Sequence, residues 1–415
     1  MKIAVLLLSC METPRRTTLT TDWFHLLSRH VSQYFFEQSG ARLRCDFTVF
    51  DWMQLSITGK QWNDAGPAVG DTARAQAAAH HGFNQADFDR YVLVIDEQVG
   101  TLGVTDYKTD TRIAAVSATP TIFAHELAHA FGVRHTQLET PEGPQEYGGP
   151  FCIMGFEGGK YSFSESRLVS PGTGADEAHS ASGPGMCIAS LSQAKWLDVN
   201  ASCHRLVPYH NGALASSIRL AALDGAPVAG SADKVGCLID IHDRFTVEYR
   251  HHGVGWDAGL ADRVPSSDGW LVIYRSPVDG PLNARQVATL EVKPGASVVI
   301  DQHPYYFFGA SPLRIHVTAV DRTARTVDIR VERQKGKADH YFPTEGLLDY
   351  LQWPIRFQEP VQPDEPVDQI AKGLMQLREF RRLERLGGPR AAGSMRTAMH
   401  DQVLQLQQML NQLQI

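Results

Sequence analysis

Three histidines and one glutamate stand close together in this sequence, at spacings that suit metal binding. Residues 125–135 read HELAHAFGVRH, which fits the pattern H-E-x-x-H-x-x-G-x-x-H. Residues four apart on an α-helix face the same way, so His125 and His129 can both offer an imidazole nitrogen to one zinc ion. Gly132 allows a sharp backbone turn that returns His135 as a third ligand. Three protein ligands leave a fourth position open, as catalytic zinc sites do.

Glu126 lies beside the first of these histidines and is placed to act on water at such a metal. A carboxylate there serves as general base, because it can take a proton from the water as the water attacks a carbonyl group. The alternative is a buried helix whose histidines only form hydrogen bonds. That alternative does not require a glutamate and a glycine at these fixed positions.

The eleven-residue motif resembles the signature of the metzincin zinc endopeptidases, in which a methionine turn follows the third histidine. Residues 151–155 (FCIMG) follow His135 at a suitable distance, and Met154 is the candidate for that methionine. Residues 190–197 resemble the helix that closes the catalytic domain in gametolysin-like and immune-inhibitor-A-like secreted proteases, and residues 245–250, 255–260 and 269–274 resemble the strands that follow it there. The second group has aspartate in place of the third histidine, so the gametolysin-like group is the better match.

The resemblance implies a fold as well as an activity. The resemblance implies a metzincin catalytic domain with a twisted, mostly parallel sheet and helices. Together with the sequence patterns described below, this predicts an α+β fold class in which the catalytic domain is followed by an all-β sandwich and a C-terminal helical tail. Phe156 departs from those metzincins that carry a tyrosine two residues after the methionine, where it assists the transition state. If a phenol acts in this chain, it must come from elsewhere, with Tyr147 and Tyr161 as open candidates.

Strand and helix patterns alternate before the motif and lead into it. They lie at residues 3–8, 20–38, 42–52, 71–81, 91–95, 102–104 and 112–117. The β-α-β-α-β order predicts a mostly parallel sheet, and one of the two last strands should form an edge to which an extended peptide can add. Residues 1–10 imitate a short lipoprotein signal, but their apolar run 3–8 also fits a buried strand. We favour the strand, because a signal core has ~7 to 15 residues.

After the motif, the pattern changes to short strands separated by Gly, Pro, Asp and Asn, which is typical of a β-sandwich. The predicted strands are residues 217–223, 237–241, 245–249, 270–274, 287–292, 313–319 and 326–331. The predicted domains are a metzincin-like zinc peptidase domain at 1–202, a β-sandwich at 203–335, a Pro-rich linker at 336–366 and an α-helical hairpin at 367–415. The C-terminal helices could mediate self-association.

Composition narrows the classes of partner. The 415-residue chain has a formal net charge of −7 and no overriding basic cluster, which argues against nucleic-acid binding. No apolar run reaches the ~18 residues that span a bilayer, so we expect no transmembrane segment. Resemblance favours secretion, but no classical signal peptide is evident, and cytoplasmic location or non-classical export stays open.

Six cysteines form an even but sparse set. A bridge between Cys152 and Cys187, another between Cys203 and Cys237, or buried free thiols are all compatible with the sequence.

The sequence thus predicts a zinc-dependent endopeptidase that hydrolyses protein or peptide substrates, with Zn²⁺ as cofactor. Two alternatives remain open at this point. One is a binding protein with a vestigial zinc site, and the other is a zinc hydrolase of a non-peptide amide.

Overall fold

The polypeptide is organised by three β-sheets, here called the first, second and third sheet. The structure is a computed structural model. It describes residues 1–11, 19–64, 68–96, 103–105, 110–115, 118–140, 143–147, 149–155, 184–206, 214–225, 227, 232–240, 243–251, 256–257, 260, 264–277, 282, 284–300 and 313–333. Within them, no helix combines the length and the apolar character needed to cross a membrane.

The first sheet has the strand order β2-β1-β3-β5-β4. Its strands are β1 (Lys2–Ser9), β2 (Asp46–Gln54), β3 (Arg90–Ile95), β4 (Gly103–Thr105) and β5 (Asp110–Ala114). The strands pair in parallel except for the edge strand β4, which runs antiparallel to β5.

The central strand β1 explains why residues 3–8 are apolar without alternation. Ile3, Val5 and Leu7 pack into one hydrophobic cluster, together with residues of helix α1 (Thr21–Gln38). The intervening residues pack into a second cluster with helix α3 (Ala68–His81). Both faces of β1 are therefore buried, which confirms the prediction of a buried first strand.

The remaining helices are short. Helix α2 covers Gly59–Asp64, α4 covers Pro120–His129, α5 covers Ile188–Gln193 and α6 covers Val199–Ser202. The predicted helices over 20–38 and 71–81 correspond to α1 and α3, and the helix of the histidine motif is α4.

The second sheet has seven strands in the order β7-β6-β13-β12-β11-β10-β8. They are β6 (Gln137–Thr140), β7 (Gly143–Glu146), β8 (Cys203–Leu206), β10 (Gly236–Asp240), β11 (Asp243–Arg250), β12 (Trp270–Pro277) and β13 (Arg285–Glu291). The sheet is mixed, because β6 pairs in parallel with β13 and β8 pairs in parallel with β10.

The third sheet is antiparallel and has the order β14-β15-β16-β9. Its strands are β9 (Leu214–Ala221), β14 (Ser297–Ile300), β15 (Leu313–Asp321) and β16 (Thr326–Arg333). Apolar residues of the second and third sheets share one core, exemplified by Ile273 and Ile329.

The predicted fold class, an α+β metzincin catalytic domain followed by an all-β sandwich and a helical tail, is wrong. The described chain is mostly β, in three sheets. The hairpin β6–β7, which follows the third histidine, lies in the same mixed sheet as β8 and β10–β13, which follow residue 202. One sheet thus joins the two parts that the prediction placed in succession.

The other domain predictions are not decided by these elements. The described residues fall within one compact unit formed by 1–208, 213–301 and 312–334. The predicted linker at 336–366 and the predicted helical hairpin at 367–415 lie outside the described residues.

Candidate metal site

Helix α4 presents the first two histidines of the motif from a buried position. Thr119 caps the helix by accepting a hydrogen bond from the Ile122 N–H at 3.3 Å, and Pro120 occupies the first turn. Every residue of α4 is buried, and His125 and His129 are only 8% and 7% exposed.

The backbone turns at Gly132, as the motif predicts. Gly132 has a φ of +80°, which residues with a side chain rarely adopt. Its N–H donates to the His129 carbonyl at 2.9 Å, and the chain then continues to His135. The N–H of Arg134 donates to Gln193 Oε1 at 2.7 Å, which ties this turn to the end of α5.

The three histidines bring their Nε2 atoms together. Nε2 of His135 lies 3.2 Å from Nε2 of His125 and 2.9 Å from Nε2 of His129. Among the residues that the structure describes, these three form the one group of side chains suited to holding a metal ion.

Each histidine is held by its outer nitrogen. Nδ1 of His125 donates to the Ile153 carbonyl at 2.8 Å, and Nδ1 of His129 donates to the Val133 carbonyl at 2.7 Å. Nδ1 of His135 pairs with Glu146 Oε1 at 2.6 Å. Because Nδ1 carries the proton in this arrangement, each Nε2 presents a lone pair to the common centre.

This donor set fits a metal ion. Burial lowers the pKa of His125 to about 3 and the pKa of His129 to about 4, and neighbouring histidines contribute in the same direction. Both imidazoles are therefore neutral at neutral pH, as metal binding requires. Three lone pairs that point inward at hydrogen-bond distance repel one another unless a cation lies between them. The cluster of His125, His129 and His135 could therefore hold a metal ion.

Glu126 follows His125 on helix α4 and contacts the edge of the first sheet. It is 9% exposed, and burial raises its pKa to about 7, against the opposing effect of a hydrogen bond from Thr105. Thr105 Oγ1, at the end of β4, lies 2.6 Å from the Glu126 carbonyl oxygen and 3.3 Å from its Oε2. A carboxylate with a pKa near neutrality can both take up and return a proton.

Met154 lies in a buried 3-10 turn, Ile153–Gly155, next to the carbonyl that orients His125. Its own carbonyl accepts a hydrogen bond from the Thr136 N–H at 3.0 Å, so the turn also fixes the residue after His135. Gly155 is required by close packing, because a methyl group there would overlap Thr136 Oγ1. The backbone of this turn therefore bonds to His125 and to the residue after His135, and this brings Met154 near the histidines.

Tyr147 brings a phenol to the same centre. Its Oη lies 3.0 Å from Nε2 of His135, and its ring centroid lies 4.5 Å from the imidazole centroid. The residue has a φ of +68°, an uncommon backbone conformation for a large side chain, and such strain clusters at functional sites. Tyr161, the other tyrosine considered from the sequence, lies outside the described residues. Phe156 lies outside them as well.

Two neighbours of the site could not be found from the motif. Glu146 reaches His135 because β7 pairs with β6, with Glu146 opposite Gln137. Thr105 reaches Glu126 because β4 is the edge strand of the first sheet. Both positions depend on pairing between strands, and neither residue stands at a fixed spacing from the motif.

Comparison with known proteins adds no assignment: no protein-family model matches the chain, and no curated protein matches it.

Proposed function

We propose that this protein is a zinc-dependent endopeptidase. The observation that carries the proposal is the convergence of three inward Nε2 atoms, each with its Nδ1 held by an acceptor. Buried Glu126 follows the first of these histidines on the same helix. An all-imidazole set of three ligands with an open position is the arrangement of catalytic zinc. A structural site has no use for an adjacent general base.

In this proposal, zinc supplies Lewis acidity, which activates water and polarises the carbonyl of the substrate. Glu126 accepts a proton from the attacking water and passes it to the leaving amine nitrogen. His125, His129 and His135 would hold the metal, and Met154 belongs to the turn whose Ile153 carbonyl orients His125. Tyr147 Oη, 3.0 Å from His135 Nε2, is positioned to donate a hydrogen bond to the carbonyl oxygen as negative charge develops there.

A peptide substrate is favoured by the position of strand β4. This strand is an edge of the first sheet, and its last residue, Thr105, contacts the catalytic base. An extended peptide can pair with an edge strand through its backbone, which holds it without regard to its side chains. A small non-peptide amide would gain nothing from that edge.

The test is cleavage of an unbiased peptide library by the full chain, combined with measurement of bound metal. We expect one zinc ion per chain and cleavage that stops with a chelator. Glu126→Gln should retain zinc and reduce turnover by about 10²- to 10⁴-fold, because the general base is lost.

The matched control is Glu291→Gln, which removes the charge of a partly exposed glutamate that pairs with Lys293. It should cleave as the parent does. Zinc binding with no cleavage by the parent would favour a binding protein, and unchanged cleavage by Glu126→Gln would refute the mechanism.

A further inference from the structure

Two buried cysteines lie together beside the turn that holds Met154. Cys152 and Cys187 are 1% and 0% exposed. The backbone N–H of Cys187 donates to Cys152 Sγ at 3.3 Å. Ser190 Oγ lies 3.5 Å from Cys152 Sγ and 3.3 Å from Cys187 Sγ, so one hydroxyl contacts both sulfur atoms.

The two thiols are not equivalent. Burial raises the pKa of each, but hydrogen bonds from Cys187 and Ser190 to the Cys152 sulfur oppose this and lower the pKa of Cys152 below its ordinary value. The pKa of Cys187 is raised, first by burial and then by its neighbour Cys152. Cys152 therefore carries the more nucleophilic sulfur of the pair at neutral pH.

The other four cysteines are separated by the sheets. Cys203 lies opposite Gly236 in the parallel pairing of β8 and β10, so the next residue, Cys237, points to the other face. The hydrophobic clusters agree with this placement on opposite faces, because Cys203 packs with Ile188 whereas Cys237 packs with the third sheet. Cys10 and Cys45 likewise belong to the clusters on opposite faces of the first sheet.

We propose that Cys152 and Cys187 form a redox-sensitive dithiol. When the chain folds in the presence of a small-molecule disulfide, the bond between these two residues is the one disulfide that it makes. The Cys152 thiolate attacks one sulfur of the oxidant and releases the first thiol. The Cys187 thiolate then attacks the mixed disulfide at Cys152 and releases the second thiol. Two protein thiols are oxidised and one disulfide is reduced to two thiols.

The bond would have a structural consequence for the metal site. Cys152 precedes Ile153, whose carbonyl holds Nδ1 of His125. Cys187 is the N-cap residue of α5, and the Ile153 N–H bonds to the Gly185 carbonyl at 3.4 Å. A covalent link here would fasten the turn under the first histidine to the start of α5.

The test uses the full chain prepared in a reducing cytosol and, separately, in an oxidising compartment. Thiols are blocked under denaturing conditions, and disulfide-linked peptides are mapped by mass spectrometry. We expect one linkage, Cys152 to Cys187, in the oxidised preparation, with four free thiols. Refolding of the denatured, reduced protein in the presence of increasing amounts of oxidised glutathione should produce the same linkage in one two-electron step.

Thermal unfolding in chelator separates this effect from metal binding. The closed ring contains residues 153–186, so the oxidised chain should melt higher by roughly 5 to 10 °C. Cys152→Ser and Cys187→Ser should each abolish the shift, whereas Cys203→Ser should retain it.

A linkage to any other cysteine, or six free thiols after folding in the oxidising compartment, would overturn the proposal. Neither outcome bears on whether the protein cleaves peptides.

Discussion

Glu146 shows how a side chain outside a metal-binding motif can set the orientation of a metal ligand. Its carboxylate holds Nδ1 of His135 at 2.6 Å, while backbone carbonyls hold the other two histidines. A carboxylate in this role raises the basicity of the ligand as well as fixing its ring. His135 is also the most exposed of the three histidines, so it depends most on such a partner.

We therefore expect Glu146→Ala to weaken metal binding by about 10- to 100-fold. Affinity can be measured by competition with a chromophoric chelator. The control is Glu139→Ala, in the same hairpin, whose carboxylate pairs with Arg275 and Arg285 and not with a histidine. Equal losses of affinity in the two variants would show that the hairpin as a whole, not the carboxylate at 146, supports the site.

Tyr147 gives a second prediction for a single residue. Removing its hydroxyl in Tyr147→Phe should lower kcat/KM by about 10²-fold, because a donor to the developing oxyanion is lost. Metal content should stay at the parent value, since three histidines remain. Tyr91→Phe is the control, because its hydroxyl bonds to the Gln85 carbonyl, away from the histidines. An unchanged kcat/KM in Tyr147→Phe would remove the phenol from the mechanism.

Much of the chemistry of the candidate metal site could be predicted from the sequence. His125, His129 and His135 converge as their spacing predicts, because helical geometry and one glycine suffice to place them. The partners that hold them were not predictable. Ile153, Val133 and Glu146 act through hydrogen bonds that only the folded chain creates.

At the scale of elements, the turn after α4 determines whether the third ligand reaches the site. Gly132 has a φ of +80° and open space around its α-carbon, so backbone conformation and not crowding excludes a side chain. We expect Gly132→Ala to destabilise the protein by about 1 to 2 kcal/mol and to weaken metal binding by at least about tenfold.

Gly82, just after α3, provides a matched control. It has a φ of +71° and equally open surroundings. Gly82→Ala should therefore lose similar stability in urea unfolding while keeping the metal affinity of the parent. If Gly132→Ala retained full metal affinity, the turn would not be what positions His135.

Most individual elements were predictable, whereas their assembly was not. The seven strands expected after residue 202 are present as β9, β10, β11, β12, β13, β15 and β16. The hairpin β6–β7 was missed because its two strands have four residues each and show no alternation of apolar and polar side chains. Its partner β13 stands far away in the sequence, and such pairing leaves no local signal.

For the whole molecule, the wrong fold class has a physical origin in this hairpin. A prediction from consecutive patterns assigns each element to the domain of its neighbours in sequence. Here β6 instead joins β13, and the largest core contains residues from both sides of residue 202, such as Leu127 and Tyr274. The resemblance carried by the motif could not reveal this, because it concerns only residues near the metal.

A buried ion network also connects distant parts of the chain. Arg250 is fully buried, bonds to both oxygens of Asp257 at 2.6 Å, and reaches Glu248 and the Met186 carbonyl at 3.2 Å. We expect Arg250→Met to cost about 3 to 5 kcal/mol, because two carboxylates lose their partner in the core. Urea unfolding measures the change.

Arg219→Met is the comparison, since Arg219 forms an exposed pair with Asp328 on the third sheet. Surface pairs contribute little, so its unfolding curve should overlie that of the parent. A mild effect of Arg250→Met would mean that the two carboxylates find other partners or take up protons.

The pairing of β6 with β13 also sets the order in which the metal site can be completed during synthesis. Helix α4 and its two histidines leave the ribosome long before residues 285–291, the strand that pairs with the hairpin that follows His135 and ends at Glu146. At ~5 to 20 residues per second, this interval lasts about 10 to 30 seconds. We expect the nascent chain to carry an unfinished metal site throughout that time, so that metal binding by all three histidines begins only after residues 285–291 have been made.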